Sequence, residues 1–221
     1  HLIGAGLADA DLSGADLTGA ILTRADLSGA HLNSATLIEA RLVGAQLATA
    51  ALSDADCTRA DLRDANLAGA DLRNAQLTAA SLDAAQLSKA DLYGADLTEA
   101  GLRRAQLPGA TLIATILQRS HLEGAKLTGA SLGMANLREA SLLDADLHGA
   151  DLSDADCTGA SFAGADLTSA NLTGTDLSDA DLSGTDLRGA ILSGVNLTGA
   201  RLNGAIFEDA RVSHTHIETV G

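Results

Sequence analysis

The stretch ADLSGADLTGAILTRADLSG, Ala10 to Gly29, repeats one five-residue phrase four times, and the same register holds from Leu2 to Ile217. That span contains 44 units, and 38 have Leu at the centre, the exceptions being Cys57, Cys157, Phe162, Phe207, Val212 and Ile217. The place three residues after each centre, running from Ala5 to Val220, is Ala in 37 of its 44 occurrences. A helix cannot use this pattern, because five steps of ~100° turn each successive Leu by ~140° and scatter them around the cylinder. An unbroken strand fails as well, because five is odd and successive Leu would face opposite sides.

The chain must therefore bend once per unit. An extended Ala-x-Leu segment sends Ala and Leu inward and x outward, and the remaining two residues form the corner. The second corner place is Gly in 19 units, including Gly14, Gly19 and Gly29, which suits a tight turn needing positive φ. With one Tyr, two Phe and no Trp, the core has to be built from Leu and Ala.

The pattern A-[DN]-L-x-x, carried along essentially the whole chain, resembles that of the pentapeptide-repeat family. The resemblance implies an all-β fold, a right-handed quadrilateral β-helix with one unit per side. It would form about eleven four-sided coils, a rod of ~50 Å at ~4.8 Å per stacked strand. The expected organisation is a single continuous solenoid over 1–221, complete or a fragment of a longer chain.

A hydrophobic fraction of 46% is that of a folded chain, and no apolar run approaches the ~20 residues that cross a bilayer. No basic segment leads into an apolar one as in a secretory signal, so a cytoplasmic location is expected. A net charge of −15 argues against direct binding of nucleic acid or an anionic membrane and favours a protein partner with a basic surface.

Few residue groups suggest chemistry. Cys57 and Cys157 both take the inward central place, five coils or ~24 Å apart, too far for a disulfide. They read as separate buried thiols suited to a reducing compartment. Calcium-loop lookalikes start at Asp9, Asp144 and Asp179, but the twelfth place, which should carry a carboxylate, is Ala20, Ala155 or Ala190. His214 and His216 have no third ligand nearby, and the sequons at Asn171 and Asn196 follow from the repeat itself. No nucleophile, base and orienting acid form a set, so no enzyme, cofactor or metal is expected.

Charge is more informative. Between Gly101 and Arg138 five basic residues face one acidic residue. From Glu139 to Asp186 there are eleven carboxylates and no Lys or Arg: Glu139, Asp144, Asp146, Asp151, Asp154, Asp156, Asp166, Asp176, Asp179, Asp181 and Asp186. This acidic band is the candidate partner surface. Grouping every fourth unit gives net 0 for the side of Leu2, −4 for those of Leu7 and Leu12, and −7 for that of Leu17. The coil 101–120 is the least regular, with Pro108, Ile113, Ala114, Thr115, Ile116 and Ser120, and Tyr93, Ile113, Ile116 and Met134 form a candidate outer apolar patch. At the C-terminal end Phe207, Val212, Ile217 and Val220 make a bulkier floor, the candidate contact of a tail-to-tail homodimer.

The functional expectation is a non-catalytic interaction scaffold presenting an acidic rod. The alternative comes from the resemblance: quinolone-resistance members of the family look like DNA in size and charge and bind type II topoisomerases such as gyrase. Those proteins interrupt their coils with loops, whereas the register here never breaks.

Overall fold

In a computed structural model of the protein, residues 1–213 are described. Along them, residues twenty apart in sequence stand side by side in parallel: Gly6 pairs with Asp26, Asp26 with Gln46, Gln46 with Asn66, and so on to Asp186 with Ile206. Twenty residues are four units, so each coil is a square with one unit per side. Most sides contribute a single ladder residue, and only β1 (Ile191–Ser193) and β2 (Arg211–Ser213) lengthen into three-residue strands, paired in parallel.

The backbone bonds explain the unit of five. The central Leu donates to the outward residue of the next coil, as Leu7 N to Asp26 O at 2.7 Å, and that residue donates back to the Ala below, as Asp26 N to Ala5 O at 2.9 Å. The second corner residue donates to the first corner residue of the next coil, as Gly29 N to Ala48 O at 2.9 Å. The following Ala closes the turn on its own Leu, as Ala30 N to Leu27 O at 3.0 Å. Four of the five N–H groups are thereby used, and a buried backbone donor left unpaired would be costly.

The corner places its second residue at φ between +54° and +74° in every described unit, as a turn with a left-handed third residue requires. Gly fills many of these places, but 23 carry a residue with a side chain, such as Arg24, Ala79 or Met134. The ladder imposes this conformation even where the residue disfavours it.

Inside, Leu and Ala from all four sides form one core running from Leu22 to Leu197, with Phe162 fully buried in it. Where Ala is replaced by Thr or Ser, the buried hydroxyl bonds a main-chain carbonyl: Thr115 Oγ1 to Leu92 O at 2.9 Å, Thr175 Oγ1 to Leu152 O and Thr185 Oγ1 to Phe162 O at 2.8 Å, and Ser120 Oγ to Leu117 O at 2.7 Å. The irregular coil 101–120 thus keeps its register. Pro108 sits at the first corner place, whose N–H the ladder never uses, and is followed by Gly109 at φ +64°, a Pro-Gly turn.

Candidate functional site: an acidic belt on the rod

The fifth N–H of the unit, at the first corner place, reveals what the outward Asp does. All fifteen Asp and four Asn standing just before a central residue accept that N–H through Oδ1, at 2.9–3.4 Å. This is an Asx turn. A Thr at the corner adds its hydroxyl to the same oxygen, as Thr158 Oγ1 to Asp156 Oδ1 at 2.7 Å and Thr168 Oγ1 to Asp166 Oδ1 at 2.6 Å. From the sequence these Asp read as outward charge and the turn bond does not show, although Asn in the same place as Asp is the available signal.

The belt from Glu139 to Asp186 therefore holds two kinds of carboxylate. Asp146, Asp151, Asp156, Asp166, Asp176, Asp181 and Asp186 are Asx residues, while Glu139, Asp144, Asp154 and Asp179 occupy the left-handed corner place. The structure does not gather them on one face. By twenty-residue stacking, Asp144 and Asp181 fall on the side of Leu2, and Asp146, Asp166 and Asp186 stack on that of Leu7. Asp151 and Asp154 fall on the side of Leu12, and Glu139, Asp156, Asp176 and Asp179 on that of Leu17. They form a collar around the rod.

Among the described residues, compensating cations reach this collar only from its margins. Arg138 meets Asp156 at 3.1 Å, Arg201 meets Asp181 at 3.0 Å and Arg188 meets Asp186 at 2.6 Å. The hydrogen bond from Arg188 holds the Asp186 carboxyl below the usual range, and bonding from Ser183, with Arg201 beside it, does so for Asp181. At Asp156 partial burial pushes upward but is outweighed by Thr158 and Arg138. The other eight carboxylates of the belt have no cation within 4.0 Å among the described residues.

Elsewhere charges are paired along the columns: Arg59 with Glu39, Arg103 with Glu123 and Arg119 with Glu99, at 3.5, 3.3 and 2.9 Å. Glu123 Oε2 is buried without a hydrogen bond and is held by its ion contact to Arg103 Nε.

The apolar patch is divided. Tyr93 and Ile113 stack in one column, joined by Gly94 N to Ile113 O at 3.1 Å. Tyr93 and Met134 are exposed at 49% and 62% on that side, whereas Ile113 is half-buried. Ile116 stands on the next side, between Asp96 and Asn136. At the C-terminal end Phe207 is partly buried against the core and Val212 is 55% exposed. Ile217 and Val220 lie outside the described residues, as do His214 and His216. In the first coil Leu2 and Ile3 are exposed as well.

Both thiols are free and buried. Burial beside Asp56 pushes Cys57 up to about 12, and burial near Asp156 and Asp176 raises Cys157 as well, which makes them poor nucleophiles. The sequon amides are engaged, Asn171 Nδ2 to Asp151 Oδ1 at 2.9 Å and Asn196 Nδ2 to Asp176 Oδ1 at 3.1 Å. Among the described residues no three His, Cys, Asp or Glu could hold a metal ion, and no helix is long and apolar enough to cross a membrane.

This architecture, square coils of five-residue sides around a Leu and Ala core, is a right-handed quadrilateral β-helix. The chain belongs to the pentapeptide-repeat family, whose model, pentapeptide repeats, matches it repeatedly over residues 1–37, 10–47, 40–78, 75–112, 105–142, 140–179 and 180–217. Among solved structures it is similar to HetL, a pentapeptide repeat protein involved in heterocyst differentiation regulation in the cyanobacterium Nostoc sp. strain PCC 7120. The identity is 38%, over 81% of this chain and 88% of that one, with a TM-score of 0.38. The plasmid-mediated fluoroquinolone resistance protein QnrB1 is 18% identical over 80% of this chain and 89% of its own, with a TM-score of 0.48. A pentapeptide repeat protein of the Arabidopsis thaliana thylakoid lumen is 35% identical over 49% of this chain and 65% of its own, at a TM-score of 0.17. No curated protein sequence matches the chain.

Proposed function

We propose that this pentapeptide-repeat protein is a non-catalytic interaction rod whose acidic belt, Glu139 to Asp186, binds a protein partner with a basic surface. The observation that supports this reading is the belt's eight carboxylates without a cation partner, held in register by a hydrogen-bonded framework. Charges fixed in this way keep their spacing as a partner approaches, so little ordering cost is added on binding. A tail-to-tail homodimer through Phe207 and Val212 belongs to the same proposal, and the two free thiols suit a reducing, cytoplasmic setting.

Replacing Asp146, Asp166 and Asp186 together by Asn tests the belt while sparing its turns, because Asn keeps an Oδ1 to accept the turn N–H; at Asp186 it also removes the ion pair with Arg188. A lysine-rich peptide should bind the native protein more weakly as salt rises, and the triple variant more weakly still. Affinity unchanged by both salt and substitution would overturn the reading. The same proteins titrated into a type II topoisomerase supercoiling assay test the mimicry alternative, which requires inhibition by the native chain and relief in the variant.

A further inference from the structure

One column on the side of Leu2 reads Val43, Arg63, Asp83, Arg103, Glu123, Leu143 from coil to coil. These first corner residues lie in line, since each carbonyl from Arg63 onward accepts the N–H beside its predecessor. The bonds are Gly44 N to Arg63 O at 2.9 Å, Asp64 N to Asp83 O at 3.1 Å, Ala84 N to Arg103 O at 2.8 Å, Arg104 N to Glu123 O at 3.0 Å and Gly124 N to Leu143 O at 2.9 Å. Arg63 and Arg103 are exposed, as is Leu143 at 44%. Read in reverse, the column becomes apolar, acidic, basic, acidic, basic, apolar. Each charge then meets its opposite and each apolar end meets the other.

We propose that this column is a self-complementary docking surface for a second, antiparallel copy of the chain, packed side by side about a two-fold axis between Asp83 and Arg103. In that arrangement Arg63 faces Glu123 of the other copy, Asp83 faces Arg103, and Val43 faces Leu143, each pair occurring twice as an isologous interface demands. A parallel two-fold arrangement, which keeps the two columns in register, would set like charge on like. The choice of side follows from charge: in a chain of net −15, the side of Leu2 alone carries no net charge, so any other pair of like sides would repel. Within one copy Arg103 Nε already meets Glu123 Oε2 at 3.3 Å, the main-chain N–H of Arg103 donates to Asp83 Oδ1 at 2.8 Å, and the Arg63 guanidinium rests on Asp61 at 2.7 Å. Pairing of two copies extends that ladder sideways. The column spans five steps, about 24 Å, so the buried area belongs to the weak, transient class of interfaces.

Sedimentation and small-angle scattering on the full chain, over a concentration series at about 20 mM and about 500 mM salt, test the proposal. At low salt the mass should grow with concentration while the rod's cross-section increases, whereas the tail-to-tail contact adds only length; high salt should reverse the growth in cross-section. Arg63→Glu with Arg103→Glu, which makes the column uniformly acidic, should abolish the association while circular dichroism shows the rod still folded. Adding Asp83→Arg and Glu123→Arg should restore it, because the alternation is then inverted but again self-complementary. A native chain that stays monomeric at low salt, growth in length alone, or a fourfold swap that fails to re-associate would each overturn the proposal. Asp146→Asn, Asp166→Asn and Asp186→Asn should leave this association intact, which separates it from binding by the acidic belt.

Discussion

The segment between Asp96 and Asn136 and the belt that follows it build the same coil with different outward residues. In the first, seven successive outward places hold Gly101, Gln106, Thr111, Ile116, His121, Lys126 and Ser131, and none makes an Asx turn. In the second, eight of the nine outward places from Asp146 to Asp186 are Asp or Asn with the turn bond made, Ser161 being the exception. Yet both keep the left-handed corner, Ala114 at φ +55° and Asp154 at +57°, and both keep the ladder bonds. The inward columns and the ladder therefore suffice for the fold, and the Asx bond is an addition. Acidity in the belt is partly a by-product of turn chemistry, since Asn would serve the turn equally well. Asp rather than Asn at seven of those eight places is the charge that the proposed partner would read.

If the inward columns dominate, their disruption should be equally severe in both segments. Leu112 and Leu152 are fully buried, and replacing either by Asp places an unpaired charge in a dry core. Each change should destabilise by more than about 4 kcal/mol, read as loss of the cooperative thermal transition. A mild effect in either segment would contradict a shared core.

The corner comes next in size. Gly149 at φ +62° has nothing within 4 Å of where a Cβ would stand, whereas at Gly174, φ +71°, the Cβ would run into Asp154 Oδ1 from the coil below. Gly149→Ala should cost about 1 kcal/mol for the left-handed conformation alone. Gly174→Ala should cost more, and Asp154→Ala in the same chain should bring it back toward the Gly149 value. Denaturant titration of the four proteins checks this, and equal costs at both glycines would remove the steric account.

Much of this was legible in the sequence. An odd period of five excludes both regular elements, so the inward Leu and Ala and the corner followed from counting, as did the free, separate thiols. The Asx bond was not read because it depends on which of five N–H groups the ladder leaves over, and that appears only once neighbouring coils are in place. For the same reason Pro108 looked like an irregularity although it occupies the one place that needs no donor. The acidic band stands out in the sequence as a run of residues, and grouping every fourth unit already gives the charge of each side, whereas the split of Ile116 from Tyr93 follows from stacking by twenty. The pairing of Arg103 with Glu123 likewise joins residues a full coil apart.

Removing the Asx bond should have a far smaller effect than the core changes and one no larger than the corner changes. Asp151→Ala deletes the acceptor of Ser153 N at 3.0 Å and of Asn171 Nδ2 at 2.9 Å and should cost about 1 kcal/mol. Ser131→Ala, at the same place one coil below, should be close to neutral, and Asp151→Asn should recover most of the loss. If Asp151→Ala proves as harmless as Ser131→Ala, the Asx bond contributes nothing and the acidity of the belt has no structural component.

The smallest expected effect is the response to acid, and its sign separates turn chemistry from charge repulsion. Asp181 and Asp186, and Asp61 and Asp71 nearer the N-terminus, have carboxyls held below the usual aspartate value of 3.8 by hydrogen bonds from Ser183, Arg188, Arg63 and Arg73. A group whose pKa is lower in the folded chain stabilises it above the unfolded value, and that contribution is lost as pH falls through the folded value. These four residues should thus give a melting temperature that is flat above about pH 4 and declines below it. Mutual repulsion among the belt carboxylates predicts the opposite slope, because protonation relieves it. Thermal melts from pH 5 to pH 2.5 at moderate salt, on the native chain and on Asp181→Asn with Asp186→Asn, distinguish the two. A decline that is shallower in the double variant assigns the acid limb to the hydrogen-bonded aspartates. A rise in melting temperature on acidification would show that repulsion around the collar outweighs the turns that hold it.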